Sequence, residues 1–183
     1  RPEEPGELFF RLNQLTALTA AEQRNALVGE PRNQIRGLSE RFEHRLDGRS
    51  IGFSNARMNY DDTLSRLAVA LESNTIGEKV TASSLEKRYR LGHGFPGEVI
   101  DLIDNASAVL ARIVDDHRFM PRLNRASLFS WLFMLSDNPA LLSDDSFEFT
   151  RDFFVSFEGA RNPNSIIFFL VDDNTPGIYD RIS

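Results

Sequence analysis

The sequence predicts an all-α protein of roughly eight helices, packed as one or two lobes. Along most of the chain, apolar residues recur at spacings of three and four, the period of one helix face. Polar capping residues precede several of these stretches, and glycine or proline follows them. Fifteen of the 183 residues are phenylalanine, against three tyrosines and one tryptophan. A chain of this size can bury a core built largely from phenyl rings.

The first predicted helices lie before residue 30. Residues 7–12 form a short amphipathic helix. A second helix begins at Thr19, because in Thr19-Ala-Ala-Glu22 each side chain can accept a hydrogen bond from the other residue's backbone N–H. Gly29 and Pro31 then stop this helix, since neither residue continues it easily.

Three more helices are predicted before the middle of the chain. Apolar stripes indicate helices over residues 32–46 and 57–73, and a loop with two glycines, residues 47–55, separates them. Thr81, with Ser84 or Glu86 nearby, begins the third.

The second half contains the longest periodic segment, residues 97–117, which opens after a proline. Residues 124–135 are so dense in apolar side chains that we expect them to be almost wholly buried. Another helix covers residues 146–159. One of its faces holds Phe147, Phe154 and Phe157, and a second holds Phe149 and Phe153. Residues 165–170 are predicted as a final helix, with a buried strand as the alternative.

Charge is unevenly distributed along the chain. Residues 1–60 hold nine Lys/Arg, all arginine, and eight Asp/Glu, a net charge of +1. Residues 61–183 hold twelve and nineteen, a net charge of −7. A nucleic-acid surface would therefore belong to the first part or to a local patch, because the acidic remainder repels phosphate.

Cysteine is absent, which excludes disulfides and thiolate metal sites and is compatible with the reducing cytoplasm, where we expect the protein to act. The longest apolar run, residues 166–171, is far shorter than the roughly 18–20 residues that a bilayer span requires. We therefore expect no membrane partner.

Residues 8–27 resemble a signature in the second half of the family called domain of unknown function 262. The signature reads F-x-R-x-N, a hinge, and then L-x-x-x-E-x-R-N-A-L. The matching residues are Phe9 or Phe10, Arg11, Asn13, Leu18, Glu22, Arg24, Asn25, Ala26 and Leu27. Weaker similarities occur at Arg57-Met58 with Asp61-Asp62, and at Arg181-Ile182. One departure is Gln14-Leu15-Thr16-Ala17, where the family often has Thr-Gly-Gly after its asparagine.

Members of that family include GmrSD-type restriction systems for modified DNA and SspE-like phage-defence proteins. They begin with a ParB/sulfiredoxin-like α/β domain carrying D-G-Q-Q-R, a motif that this sequence lacks. The resemblance implies that the chain is a helical second half, in which residues 1–55 pack on a missing N-terminal domain and residues 56–183 form a helical lobe, or one continuous domain with them. The parent protein would use GTP or ATP with Mg²⁺ and gate a nuclease, whereas this segment would need no cofactor. DNA and a second copy of the chain are further candidate partners.

The resemblance also implies a site for a nucleotide or a domain interface at Arg11, Asn13, Arg24 and Asn25. Guanidinium groups and amides near the hinge are suited to a phosphate. The structural alternative is that Arg24 forms a surface ion pair and Asn13 satisfies a turn.

A basic group at Lys87, Arg88 and Arg90 is the best candidate for a nucleic-acid patch outside the first helices, with a solvated helix face as its alternative. His44, His93 and His117 lack the paired spacing of a metal site. Adjacent acidic pairs such as Asp144-Asp145 suit helix starts better than metal binding, because neighbouring carboxylates on a helix diverge. No phosphate loop, nucleophile elbow or nuclease motif is present, so no residue is predicted to be catalytic.

Two functions of different classes follow. In the first, the chain is the helical module of a restriction or anti-phage protein. In the second, it is an all-helical scaffold for protein association with no role in nucleotide or DNA chemistry. A strand-rich segment with D-G-Q-Q-R upstream of Arg1 would support the first.

Overall fold

A computed structural model describes residues 18–46, 48–74, 79–115 and 121–161. Over these ranges the chain forms eight α-helices and two short 3-10 turns, with no β-strand. The predicted all-α class is therefore confirmed. The elements predicted over residues 7–12 and 165–170 lie outside the described residues.

The helices alternate with short connections. In chain order they are α1 (Ala20–Asn25), α2 (Glu30–Arg45), α3 (Gly48–Ile51), α4 (Asn59–Ser73), α5 (Ala82–Arg90), α6 (Gly97–Asp115), α7 (Arg125–Asp137) and α8 (Asp144–Arg161). The 3-10 turns cover Ala56–Met58 and Pro139–Leu142. Pro31 lies in the first turn of α2, where its missing N–H costs nothing.

Side-chain caps begin three of the helices. The Glu22 N–H donates to Thr19 Oγ1 at 3.2 Å at the start of α1, and the Ser84 N–H donates to Thr81 Oγ1 at 3.1 Å at the start of α5. Asn124 accepts from the Ser127 N–H at 3.0 Å before α7. Each cap satisfies an N–H that has no partner within the helix.

Helices α4 and α6 form the centre of the molecule. Each contacts the other, and both contact α2 and α7. Leu64 and Leu67 of α4 and Ile103 of α6 are completely or almost completely buried, and they share their core with Leu38 and Phe42 of α2. The described residues on both sides of position 55 therefore contribute to one hydrophobic core, whose burial drives folding.

The loop prediction for residues 47–55 is wrong at Gly48–Ile51, which forms the single turn of α3. Ile51 is fully buried, so tertiary packing outweighs the helix-breaking effect of the glycines. Gly52 follows with a φ of +93°, and a Cβ there would lie 3.1 Å from the Arg122 Cα. Glycine thus permits the close approach in which the Leu123 N–H donates to the Ile51 carbonyl at 2.9 Å.

One prediction about phenylalanine burial and one about a shared helix face need correction. In α7, Phe129 and Phe133 are only partly buried, because that side of the helix borders an open groove. In α8, Phe157 is 52% exposed, whereas Phe154 is fully buried. Residues 154 and 157 point in directions that differ by roughly 60° on a helix, which is enough to move one ring out of the core.

The exposed face of α8 is rich in aromatic residues. Phe149, Phe153 and Phe157 are 68%, 46% and 52% exposed and recur every four residues. Trp131 of α7 packs beneath this stripe, with its ring centre 5.7 Å from those of both Phe153 and Phe157. Among the described residues, no helix is long and apolar enough to cross a membrane.

Candidate functional site

The signature helix α1 is present and begins at the predicted residue. The Thr19 N–H donates to Glu22 Oε2 at 2.6 Å, which completes the capping box with the bond from the Glu22 N–H. The predicted hydrogen bond in which the Thr19 side chain accepts from a backbone N–H is therefore confirmed.

Glu22 also contacts the turn that precedes α4. Arg57 Nη2 lies 3.2 Å from Glu22 Oε2, and together the Thr19 N–H and Arg57 lower the pKa of Glu22 to about 2. Arg57 and Met58 both adopt the left-handed backbone conformation, with φ values of 56° and 60°. This conformation is rare for residues other than glycine and often accompanies functional or structurally constrained turns.

Arg24 points into the protein. Its side chain is 4% exposed, its Nη2 donates to Asp62 Oδ1, and its guanidinium carbon lies 5.9 Å from the centre of the Tyr89 ring. Its buried Nη1 has no hydrogen-bond partner among the described residues. A buried cation is tolerated only when it is paired, so Asp62 is what permits this position.

Asp62 is shared by arginines from three helices. Besides Arg24 of α1, it accepts from Arg66 Nε of α4 at 2.9 Å, and Arg125 Nη1 of α7 lies 3.9 Å from its Oδ2. Burial alone would raise the pKa of Asp62, but the hydrogen bonds from Arg66 and Arg24 lower it overall. The carboxylate therefore remains charged and links α1, α4 and α7.

Two of the four residues predicted for a nucleotide or a domain interface, Arg24 and Asn25, lie within the described part of the chain. Arg24 and half-buried Asn25 line a space of only about 10 Å³, beside Tyr89, which is too small for a nucleotide. Arg11 and Asn13 lie outside the described residues. The assignment of this set as a binding site stays a prediction, and the visible role of Arg24 is to hold α1 against α4.

The predicted basic patch is not one continuous surface. Arg88 is 9% exposed and donates to both carboxylate oxygens of Glu72, at 2.7 and 2.8 Å. It also donates to the carbonyls of His93 and Gly94 and lies 4.4 Å from the centre of the Phe95 ring.

Arg88 is thus fully engaged in holding the turn after α5, because its fork satisfies several acceptors at once. Lys87 and Arg90 remain exposed, and Arg90 pairs with Glu86 at 2.7 Å.

The acidic residues and histidines of the described ranges were also candidates for a metal site. Within the described ranges, no group of three His, Asp or Glu side chains is arranged to hold a metal ion. Asp61 accepts from Ser39 at 2.9 Å, and Asp144 pairs with Arg112 at 2.8 Å, so both have structural partners. His117 lies outside the described residues.

An open groove of about 970 Å³ lies between α4 and α7, a size that suits a small ligand. We call it the α4–α7 groove. Its cationic side chains are Arg66, Lys79 and Arg125, and its aromatic ones are Phe129 and Phe133. Asp62 is the acidic residue of the described lining. The groove therefore combines cationic side chains with two phenyl rings.

The sequence analysis did not identify the cationic and aromatic residues of the groove as site residues. They are Arg66, Lys79, Arg125, Phe129 and Phe133. A signal was present in α7, because Arg125, Phe129 and Phe133 recur every four residues and so share one face. The other faces of α7 are also rich in apolar residues, so the sequence did not distinguish this face from them. No sequence pattern links Arg66 to this face, because its proximity to α7 arises from the packing of α4 against α7. Lys79 lies between helices, where no helical period could place it beside the groove.

Fold and site together define an all-helical protein with one cationic, phenylalanine-lined groove among its described residues. A scan against protein-family models, a search of curated proteins and a search of solved structures each found no match. The resemblance to the domain of unknown function 262 family therefore stays a prediction.

Proposed function

We propose that the chain is the helical module of a modified-DNA restriction or anti-phage protein and supports a nucleotide-binding, nuclease-gating domain outside this sequence. The main support for the proposal is a set of contacts within the residues that resemble the family. The two stretches that resemble the family, 35 or more residues apart, pair with each other through Glu22 with Arg57 and through Arg24 with Asp62. Residues that recur together in a motif are expected to have such mutual partners.

Within this proposal the signature residues have two kinds of role. Arg24 fastens α1 to α4, and Glu22 fastens α1 to the turn before α4. Arg11 and Asn13 face the nucleotide-binding domain. A guanidinium at such a boundary suits a phosphate or an acidic partner, because its fork donates two parallel hydrogen bonds. GTP or ATP with Mg²⁺ is then bound by the parent protein.

The proposal is tested by phage challenge of cells that express the intact parent protein. The variant Arg11→Ala should abolish most of the protection, while the melting temperature of the purified 183-residue chain changes little. Arg36→Ala is the matched control, because Arg36 is 57% exposed and pairs with Glu40 at the surface of α2. Unchanged protection by Arg11→Ala, or no protection by the wild-type protein, would contradict the proposal.

A second candidate is a scaffold for protein association without a nucleotide or DNA role. The exposed stripe of Phe149, Phe153 and Phe157 favours it, since exposed aromatic groups often mark protein contacts. In the phage assay, loss of the wild-type gene would then leave plaque counts unchanged.

A further inference from the structure

The α4–α7 groove has a cationic end that is organised around Asp62. Arg66 donates from Nε to Asp62 at 2.9 Å and from Nη1 to the carbonyl of Val80, so it lies next to Lys79. Arg125 reaches to within 3.9 Å of the same carboxylate. Three cations from different segments therefore meet at one end of the groove.

These cations exceed the negative charge beside them. Asp62 is already paired with buried Arg24 from the interior of the protein. Arg125 is 61% exposed and contacts Asp62 only at the limit of an ion pair, and exposed Lys79 forms no ion pair among the described residues. Positive charge is therefore left facing the groove, in a chain whose net charge is −6. Such a local surplus is suited to an anion.

A flat apolar wall continues from this end along α7. Phe129 and Phe133 lie one and two turns beyond Arg125, or about 6 and 12 Å along the helix axis. Their ring centres are 6.0 Å apart and their planes differ by 20°, so the two rings are nearly parallel. Both are only partly buried and line the groove. Phenyl rings in this position can stack on a planar ligand.

We propose that the α4–α7 groove binds a nucleotide unit, with its phosphate at Arg66, Lys79 and Arg125 and its base against Phe129 and Phe133. Phe129 follows Arg125 by about one helical turn, a spacing that one sugar between a phosphate and a base can span. The unit belongs either to a free nucleoside phosphate or to an unpaired stretch of a nucleic acid. A long duplex is disfavoured, because the surrounding chain is acidic and repels an extended phosphate backbone.

This site goes beyond the supporting role proposed above and does not depend on it. The resemblance concerns α1, the hinge before it and the turn before α4, whereas four of the five proposed contact residues lie on α7 or just before α5. Failure of the phage assay would leave the groove proposal standing, and failure of binding would leave the proposed module standing.

The test is titration of the full 183-residue chain by isothermal calorimetry at low salt. The probes are AMP, ATP, ribose 5-phosphate, tripolyphosphate and a five-residue oligothymidylate. We expect a nucleotide or the oligonucleotide to bind at least tenfold more tightly than the probes without a base, because stacking contributes substantially per base. Added salt should weaken the binding. An oligonucleotide that binds tenfold more tightly than AMP identifies a strand as the ligand, and equal or weaker binding identifies a free nucleotide.

Variants locate the site. Arg125→Gln and Phe133→Leu should each weaken binding about tenfold, since the first removes a charge and the second keeps apolar volume but loses the flat ring. Matched controls are Arg112→Gln and Phe149→Ala, a cation and a phenylalanine that are exposed outside the groove. Lys79→Gln provides a third test at an exposed residue that lies between helices, in case a helix variant fails to fold.

Three results would overturn the proposal. The first is no binding by any nucleotide or oligonucleotide. The second is equal binding by tripolyphosphate or ribose 5-phosphate, because the rings would then have no role. The third is binding that the folded groove variants leave unchanged while a control variant weakens it.

Discussion

Single side chains at the junction of α1 and α4 carry charges that their neighbours balance. Arg24 is buried against Asp62, whereas Glu22 lies nearer the surface against Arg57. The two pairs connect the same segments, but they differ in how much water reaches them. Burial makes the loss of one partner costly, because the remaining charge cannot be solvated. We therefore expect different responses to mutation and to pH.

Replacing Arg24 by methionine should lower the free energy of unfolding by about 3 kcal/mol, as for other broken buried ion pairs. Arg36→Ala, at a pair whose members are 57% and 66% exposed, should cost less than about 0.5 kcal/mol. Urea unfolding followed by circular dichroism measures both. A cost of Arg24→Met below that of the control would show that the buried pair does not stabilise the fold.

The lowered pKa of Glu22 predicts that its contribution to stability decreases as the pH falls. Its pKa is about 2 in the folded protein against an ordinary value of 4.5, so the unfolded chain takes up the proton first. The stabilisation by this carboxylate is fully present above pH 4.5 and is lost as the pH falls toward 2. The difference in melting temperature between the wild type and Glu22→Gln should therefore shrink over that window.

A difference that stays constant from pH 5 to pH 2 would contradict the lowered pKa. Because other carboxylates titrate in the same range, the comparison uses the difference between the two proteins at each pH. Carboxyl chemical shifts measured by NMR would report the Glu22 titration directly.

At the scale of elements, α8 shows how a helix divides similar side chains between core and surface. Phe154 is fully buried against Trp131, with their ring centres 4.5 Å apart, whereas Phe149 on the same helix is 68% exposed. Glu158, also fully buried, accepts from the Trp131 ring N–H at 2.7 Å and pairs with Arg161. The buried face of α8 therefore combines ring packing with a satisfied buried charge.

This division predicts unequal effects of the same substitution. Phe154→Ala should cost about 3–5 kcal/mol, because it removes a large buried ring and leaves a cavity. Phe149→Ala should change the free energy of unfolding by no more than about 0.5 kcal/mol, as at other exposed positions. Denaturant midpoints of the two variants provide the comparison. Similar losses in both would mean that Phe149 is covered in solution.

At the scale of the whole molecule, the two candidate sites lie on different helices. The α4–α7 groove lies between α4 and α7, whereas the exposed phenylalanine stripe lies on α8. The net charge is −7 over residues 61–183, which contain the groove, so its cations are a local exception. Electrostatic attraction of a ligand should therefore be confined to a short range, especially at physiological salt.

We expect the chain by itself to bind without turnover. Incubation of the purified 183 residues with GTP or ATP and Mg²⁺, and with plasmid DNA, should give neither phosphate release nor cleavage. The sequence has no phosphate loop or nuclease motif, and its larger acidic part repels DNA. Metal-dependent turnover that persists at constant specific activity through further purification would contradict this prediction.

Local interactions explain which features followed from the sequence. The start of α1 was predictable because Thr19 and Glu22 cap the helix within a single turn. The helix over Glu30–Arg45 was predictable because its buried stripe repeats with the helical period. Such signals depend on residues three or four apart, so they do not require knowledge of the fold.

Only the tertiary structure decided which helix faces meet. It pairs Arg24 with Asp62, 38 residues away, and brings Arg66 of α4 and Arg125 of α7 to one carboxylate. It also leaves Phe129 beside a groove where an apolar run indicated burial. A helical period shows which side chains share a face, but the partner of that face depends on how distant helices pack, and no local spacing encodes that choice.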